Sequence, residues 1–456
     1  MHRKVFRCIA FMLIFIVLWS SFTRIMINKN RNQNSAANPE AEGAEVVFVG
    51  TSQSALGINP LVMWDSCGIK AYNFSGNGQY IGTTYYVLKE IFNHMKPRVV
   101  ALDIRSVVIP EDFLVSGNLL FNSTVVSNVY LRYQVYDSFI KEDLIYFLNL
   151  LRYHERWKEI SQEDFQNKQY VLGAELHAEN KINEWPVVES SEEEVAIGED
   201  ELFYLNEIVK LLEDNECICL FFRMPGTYDT RCEGKVQSVI NYAKEHNIKF
   251  YDFMSEEFIK GSGLQVEDFR DGNHLNVEGA DKLSALLGQY MIEDGYVTAR
   301  YEDGEEWGER WTDDRKELDS LHFQVKSNFE SYYSQICESK DYMAVLIIAG
   351  NVEESALRKV EEMLGISIVE SGEKVFWMEG GQWRADNIIN IIMDANNYEL
   401  SIKHELFISC VTGEISINNE SVCKISNGFN IIVYDKEVQR IVNIAGFDSM
   451  FERKGV

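Results

Sequence analysis

Cysteine is scarce, and what there is forms no cluster. Eight cysteines in 456 residues are too few for a disulfide framework in a chain this long. None falls in a Cys-x-x-Cys or zinc-like spacing, so neither a structural zinc site nor a dithiol centre is expected, and no other metal or cofactor is implied. Cys217 and Cys219 alternate on one face of a predicted strand and read as small core residues. Cys410 and Cys423 flank a glycine-containing, hairpin-like segment; whether they bridge in an oxidising compartment is left open by the sequence. Positive charge is also short. Against 71 Asp and Glu there are 43 Lys and Arg, a net charge of -28, which argues against nucleic acid and against a broad lipid-binding basic face. Polar and uncharged substrates stay open. The acidic runs from Glu189 to Glu201 and from Glu302 to Asp319 read as solvated loop and linker.

A small-x-small cleavage site is missing after the one N-terminal apolar run. Met1 to Arg7 is basic, Cys8 to Trp19 is wholly apolar, and Phe22 with Ile25, Met26 and Ile27 extends the run to about 20 residues, enough for one span. Without a cleavage site the segment reads as an uncleaved signal anchor rather than a removed signal peptide. A cytoplasmic tail this short would leave the body outside, which predicts a single-pass cell-membrane protein with residues 1–30 as anchor and 31–44 as tether.

Residues 45–298 have the rhythm of an α/β domain. Strands are predicted at Glu45 to Val49, Ile69 to Phe74, Val99 to Ile104, Cys217 to Phe222 and Ile248 to Phe253, with helices from about Tyr80 to Met95 and about Arg231 to His246. That alternation favours a three-layer sandwich around a parallel sheet. Residues 113–183, rich in aromatics, are predicted as a helical insertion capping one sheet edge. An acidic linker over 299–321 leads to a smaller α+β domain, 322–456. In it Tyr342 to Ala349 reads as a buried strand, Glu353 to Leu364 as an amphipathic helix, and Tyr398 to Phe447 as alternating strands and turns.

Two motifs carry chemistry. Val46-Val47-Phe48-Val49 is a buried-strand run, and Gly50-Thr51-Ser52 then permits a sharp turn that lifts a serine hydroxyl above the sheet edge. Far downstream, Asp271-Gly272-Asn273-His274 puts a carboxylate three residues before an imidazole, so that Asp271 can hold one ring nitrogen while the other faces Ser52. If a helix starts at Ser52, its first amides can stabilise an oxyanion. The loop Asn73 to Gln79 is the second oxyanion candidate, through the backbone near Gly76 or the side chains of Asn77 and Gln79. Arg105 and Arg223, at strand ends, are candidates for contacting an anionic substrate, or for structural salt bridges.

With its serine after the first strand and its late Asp-x-x-His, the chain resembles the SGNH/GDSL hydrolase superfamily. The resemblance implies a catalytic Ser52, His274 and Asp271 and a glycine oxyanion donor near Gly76. The family's third-block Gly-x-Asn-Asp is missing, because the third strand ends Leu102-Asp103-Ile104-Arg105-Ser106. Together with the anchor, this moves the likeness toward the alginate O-acetylation and lipoteichoic-acid D-alanylation proteins. The tail from Asn427 to Asp435, followed by Gly446-Phe447-Asp448, is similar to the end of the interleukin-like EMT inducer domain. That likeness implies a carbohydrate- or partner-binding module, with Trp377 and Trp383 near Gly380-Gly381 as sugar-stacking candidates or core residues. The whole predicts a membrane-anchored serine acyl esterase or O-acyltransferase acting on a cell-surface polysaccharide. A membrane acyl-group exporter is a candidate partner, and the bilayer is engaged through the N-terminal helix. The competing reading is a non-catalytic glycan-binding component of a polysaccharide assembly complex.

Overall fold

The computed structural model describes residues 2–26, 39–108, 130, 133–134, 137, 154–160, 170–189, 191, 193–299, 311–371, 374–384, 392–394, 397–402, 406–411, 414–417, 420–421, 424–436 and 440–454. Most of the predicted insertion over 113–183, half of the predicted linker and the Cys410–Cys423 pairing lie outside the residues, or the side chains, so described. Two compact units divide between Arg315 and Lys316.

The chain begins with helix α1, His2–Met26. Within it Val5–Phe22, 18 residues of mean hydropathy 2.2, is long and apolar enough to cross a membrane by length and composition.

The first unit is organised by five parallel strands, β1 (Val46–Val49), β2 (Ala71–Asn73), β3 (Val99–Asp103), β4 (Ile218–Arg223) and β5 (Lys249–Asp252). Their order is β2-β1-β3-β4-β5. All four residues of β1 are fully buried, as expected of a central parallel strand covered on both faces. In register, Val46 lies between Ala71 and Val99. One face carries Phe48, Ala101 and Phe222, which pack with Met63 and Cys67 of helix Pro60–Cys67 and with Leu283, Leu287 and Met291 of a later helix, Val277–Glu293. Phe48 and Phe222 meet edge to face at 6.0 Å. The neighbouring Phe221 points the other way and stacks on Tyr242 of helix Thr230–Glu245 at 6.4 Å.

Helix Ile81–His94 buries Ile81, Val87, Leu88 and Ile91, a helical stripe legible from its spacing. Helix Glu199–Asp214 is not legible in the same way. The acidic run before it reads as loop, yet its last residues, Glu199, Asp200 and Glu201, form the first turn of this helix, where the macrodipole favours negative charge. Leu205, Ile208, Val209 and Leu212 then supply its buried stripe.

The topology also locates the site. From β1 the chain crosses to β2 on one side and then to β3 on the other, so a crevice opens beyond the carboxyl ends of β1 and β3. Ser52 comes just after the first of these ends and Arg105 just after the second.

The second unit, Lys316–Val456, holds a six-stranded antiparallel sheet. Its strands lie in the order Gln382–Arg384, Val375–Glu379, Tyr342–Ala349, Gly428–Asp435, Arg440–Phe447 and Arg453–Lys454. The two at its centre, Tyr342–Ala349 and Gly428–Asp435, are buried throughout. Helices Phe329–Cys337 and Glu354–Leu364 contribute Phe329, Tyr332 and Val360 to a core shared with Leu346, Phe376 and Ile431. Five short strands between Ile392 and Ser421 form a separate antiparallel sheet. Trp377 does not stand as a sugar platform. It lies on strand Val375–Glu379 opposite Val345 and is 5% exposed. Trp383 is half-buried against Tyr333, with ring centroids 6.3 Å apart.

Candidate active site

Gly50 ends β1 where only a hydrogen fits, because a Cβ there would come within 2.4 Å of the Asp103 Cβ. The close approach lets Asp103, at the end of β3, reach the turn. Its Oδ2 accepts from the Thr51 hydroxyl at 2.8 Å and from the Thr51 amide at 3.3 Å, while Oδ1 accepts from the Arg105 amide at 2.9 Å. Burial pushes the Asp103 carboxyl above its ordinary value against these bonds. Thr51 is the N-cap of helix α2, Ser52–Gly57, its Oγ1 accepting from the Gln53 amide. Ser52 is therefore the first residue of a short helix whose start is held from the side by a buried carboxyl group.

The imidazole arrives on a hairpin. Phe269–Asp271 and His274–Leu275 pair antiparallel, with Asp271 opposite His274. The buried Phe269 and Leu275 anchor it in the core. His274 Nε2 lies 2.8 Å from Ser52 Oγ, and His274 Nδ1 lies 2.8 Å from Asp271 Oδ1. The hairpin turn is fixed from two sides: the Thr227 amide and hydroxyl both donate to the Gly272 carbonyl at 2.8 Å, and Gln53 Nε2 donates to the Asn273 carbonyl at 3.1 Å. Asn276 then caps the next helix through the Gly279 amide. Serine, histidine and aspartate, 222 residues apart in chain from first to last, are thus brought into one relay.

Electrostatics favour a neutral imidazole beside a charged carboxylate. Burial holds His274 below its ordinary 6.5, with the Asp271 carboxylate opposing but not cancelling the effect. Burial raises Asp271, but its bonds from the Asn273 amide and His274 outweigh that and leave it below its ordinary value. The resulting tautomer has the proton on Nδ1 and a lone pair on Nε2 facing the serine.

Thr51, Ser52, Gln53, Gly78, Arg105, Thr227, Asn273 and His274 are among the residues lining a cavity of about 360 Å³. Cys232 lines it too. Burial raises the pKa of its thiol to about 11, which disfavours the thiolate.

The remaining sequence candidates divide between the cavity and the surrounding scaffold. The Gly76 amide is not free to serve as an oxyanion donor, since it donates to the Gly50 carbonyl at 3.0 Å; Gly78, two residues on, faces the cavity instead. Asn77 is exposed and donates to Glu175 at 3.2 Å. Gln79 is buried, its amide donating to Thr84 Oγ1 at 3.1 Å, away from the cavity lining. Arg223 is buried, ion-paired with Glu233 and Asp252, and stacked 4.1 Å from the Tyr228 ring. Of the two strand-end arginines, Arg105 reaches the cavity.

Sequence reasoning does not single out Gln53. It is 2% exposed and ties helix α2 to the hairpin turn, its Oε1 accepting from the Tyr228 hydroxyl at 3.1 Å. A Cβ on Gly226 would sit 2.2 Å from Gln53 Nε2, so the loop after β4 leaves room for this amide. The available signal is a long polar side chain directly after the serine, in a short helix that goes on Ser54-Ala55-Leu56. Gln53→Leu should cost about 1–3 kcal/mol, because it leaves the Asn273 carbonyl short of a partner, while the Tyr228 hydroxyl keeps the Met224 carbonyl. It should also lower kcat/KM for small esters by about ten- to a hundredfold through a displaced His274. Thermal unfolding and ester turnover, measured on the same preparation, check both halves.

No protein-family model matches the chain, and no curated protein matches it. Among solved structures it is similar to a protein described as lipolytic and of the G-D-S-L family from Desulfitobacterium hafniense, at 14% identity over 54% of this chain and 97% of that one, with a TM-score of 0.29. It is similar to a GDSL-like lipase from Bacteroides thetaiotaomicron, at 14% identity over 56% and 94% of the two chains, TM-score 0.27. An acetyl xylan esterase matches at 16% identity over 55% and 98%, TM-score 0.20.

Proposed function

We propose that this chain is a membrane-anchored serine acyl esterase or O-acyltransferase whose body lies outside the cytoplasm and acts on a cell-surface polysaccharide. The observation that carries the reading is the Ser52–His274–Asp271 relay, both of whose links measure 2.8 Å and whose serine and histidine line a cavity. Ser52 Oγ attacks an ester carbonyl as its proton passes to His274 Nε2, and Asp271 stabilises the imidazolium so formed. The first amide of α2, on Ser52, and the amide of Gly78 are the oxyanion donors of this reading. Collapse returns the proton from His274 to the leaving alcohol and leaves an acyl-serine. Water or a sugar hydroxyl, deprotonated by the same imidazole, then takes the acyl group.

The apolar Val5–Phe22 segment supports membrane attachment, and the basic Arg3 and Lys4 just before it support an outward-facing body. In that setting an acyl-group exporter in the same membrane could load Ser52 directly, which favours transfer over hydrolysis as the physiological outcome.

A fluorophosphonate probe tests the reading: it should label the wild-type chain and fail on Ser52→Ala. The pH profile is a second check. The base must be neutral, and burial holds His274 below 6.5, so kcat/KM on a neutral aryl acetate should fall as pH drops through a midpoint below 6.5 and level off above it. Rates measured from about pH 4 to about pH 8 decide this. A midpoint above about 7 would contradict a desolvated base.

A further inference from the structure

Residues 174–189 form a strap that frames the hairpin carrying Asp271 and His274. At its start the Glu175 amide donates to the Ala55 carbonyl of α2 at 2.8 Å, and the His177 carbonyl accepts from the Val277 amide at 2.7 Å. Farther on the Lys181 amide donates to the Arg270 carbonyl at 2.8 Å, and the Val187 carbonyl accepts from the Tyr228 amide at 3.1 Å. The stretch from Lys181 to Val187 is thus fixed at both ends beside the site. Arg270 directly precedes Asp271, and Tyr228 directly follows Thr227, which lines the cavity.

Trp185 lies between those two ties. It is 41% exposed and Val187 is 61% exposed, although tryptophan is a residue that folding ordinarily buries for most of its surface. The ring is nevertheless ordered. It meets the buried Phe269, the first residue of the hairpin, edge to face at 5.4 Å and 70°. Such a contact covers at most one face of an indole, and the Trp185 N–H has no acceptor among the described residues. Charged groups belong to the same stretch: Glu179 pairs with both Lys181 and Arg270. An open aromatic face with hydrogen-bonding groups near it suits a pyranose, whose C–H face packs on the ring while its hydroxyls find polar partners. A bilayer surface is the poorer occupant, because residues 174–189 carry four glutamates against one lysine.

Size points the same way. The cavity, about 360 Å³, stands near the lower end of small-molecule sites, which span about 300–1,000 Å³. It takes the ester and little more, so the rest of a polymer has to run over the surrounding surface.

We propose that Trp185 is a stacking subsite for a glycan chain whose acylated sugar occupies the catalytic cavity. The inference rests on the polysaccharide reading and deepens it: the strap holds the chain outside the cavity, while the chemistry at Ser52 proceeds without it.

The test uses the full chain in detergent and NMR titration with unesterified cello-, xylo- and chito-oligosaccharides, from monomer to pentamer, which bind without turning over. In at least one series affinity should rise about tenfold or more with length. Trp185→Ala should remove that rise, and Trp185→Phe, which keeps a ring, should retain part of it. Turnover of an aryl acetate, which needs no contact outside the cavity, should stay within about twofold of wild type in both variants. No rise with length in any series, or a rise that survives Trp185→Ala, overturns the proposal. So does a matching loss of aryl acetate turnover, the mark of a structural role through Phe269. Quenching by brominated lipid in nanodiscs that disappears in Trp185→Phe would give the ring to the bilayer and overturn it as well. Fluorophosphonate labelling of the wild-type chain reports on Ser52 separately, so the esterase reading and the glycan subsite can fail independently.

Discussion

If Ser52 is the nucleophile proposed above, Ser52→Ala should lower kcat/KM for small acyl esters by about 10⁴- to 10⁶-fold, because it removes the group on which the rest of the relay acts. The fold should survive. Ser52 is half-buried, the helix start is capped by Thr51, and the lost hydroxyl makes one hydrogen bond, to His274. A net loss of about 0.5–1.5 kcal/mol is the ordinary size of such a deletion. Turnover of an aryl acetate, with thermal unfolding as the control, gives the result. Activity within about tenfold of wild type in a folded variant would remove Ser52 from the reaction. An unfolded variant would instead assign Ser52 a structural role that its exposure and single bond do not suggest.

Asp271→Asn should cost about 10³- to 10⁴-fold in kcat/KM with little change in affinity for substrate. The isosteric amide can still accept from the Asn273 amide, so the turn persists. What changes is the imidazole. The carbonyl oxygen kept there can also accept from Nδ1, but it carries no charge to stabilise the imidazolium that forms when Nε2 takes the Ser52 proton. The charge change has its own signature. Asp271 raises the His274 pKa against burial, so removing the carboxylate should shift the residual activity's midpoint further below 6.5. A raised midpoint, or a loss of less than about tenfold, would show that His274 is oriented by another group.

The parts of this site legible in the sequence are those written locally. Val46 to Val49 announces a buried strand by composition, Gly50 announces a turn, and the spacing of Asp271 and His274 allows one carboxylate to bond the nearer ring nitrogen. The alternation of apolar strands and amphipathic helices announces a parallel sheet. Local pattern suffices there because strand, turn and cap are decided by neighbours a few residues away.

Other features depend on residues far off in the chain. Arg105 and Arg223 look alike in sequence, each at the end of an apolar strand. Glu233 and Asp252 ion-pair with one of them, while the other faces the cavity, where its charge helps hold Asp229 ionised. Gly76 and Gly78 are equivalent in a glycine-rich loop until the Gly50 carbonyl takes the amide of the first. Trp377 is a plausible sugar platform until its strand is placed opposite Val345. Gln53 has no visible role until the hairpin turn comes within 3.1 Å of it.

By itself, then, the sequence determined an apolar N-terminal segment of spanning length, a parallel α/β core, and a serine, an aspartate and a histidine of the right chemical types in order. Only the tertiary structure decided which polar groups meet. Hydrogen bonds and ion pairs act over about 3 to 4 Å, and that distance between residues as far apart in the chain as Ser52 and His274 is set by packing the sheet and its helices, not by local pattern.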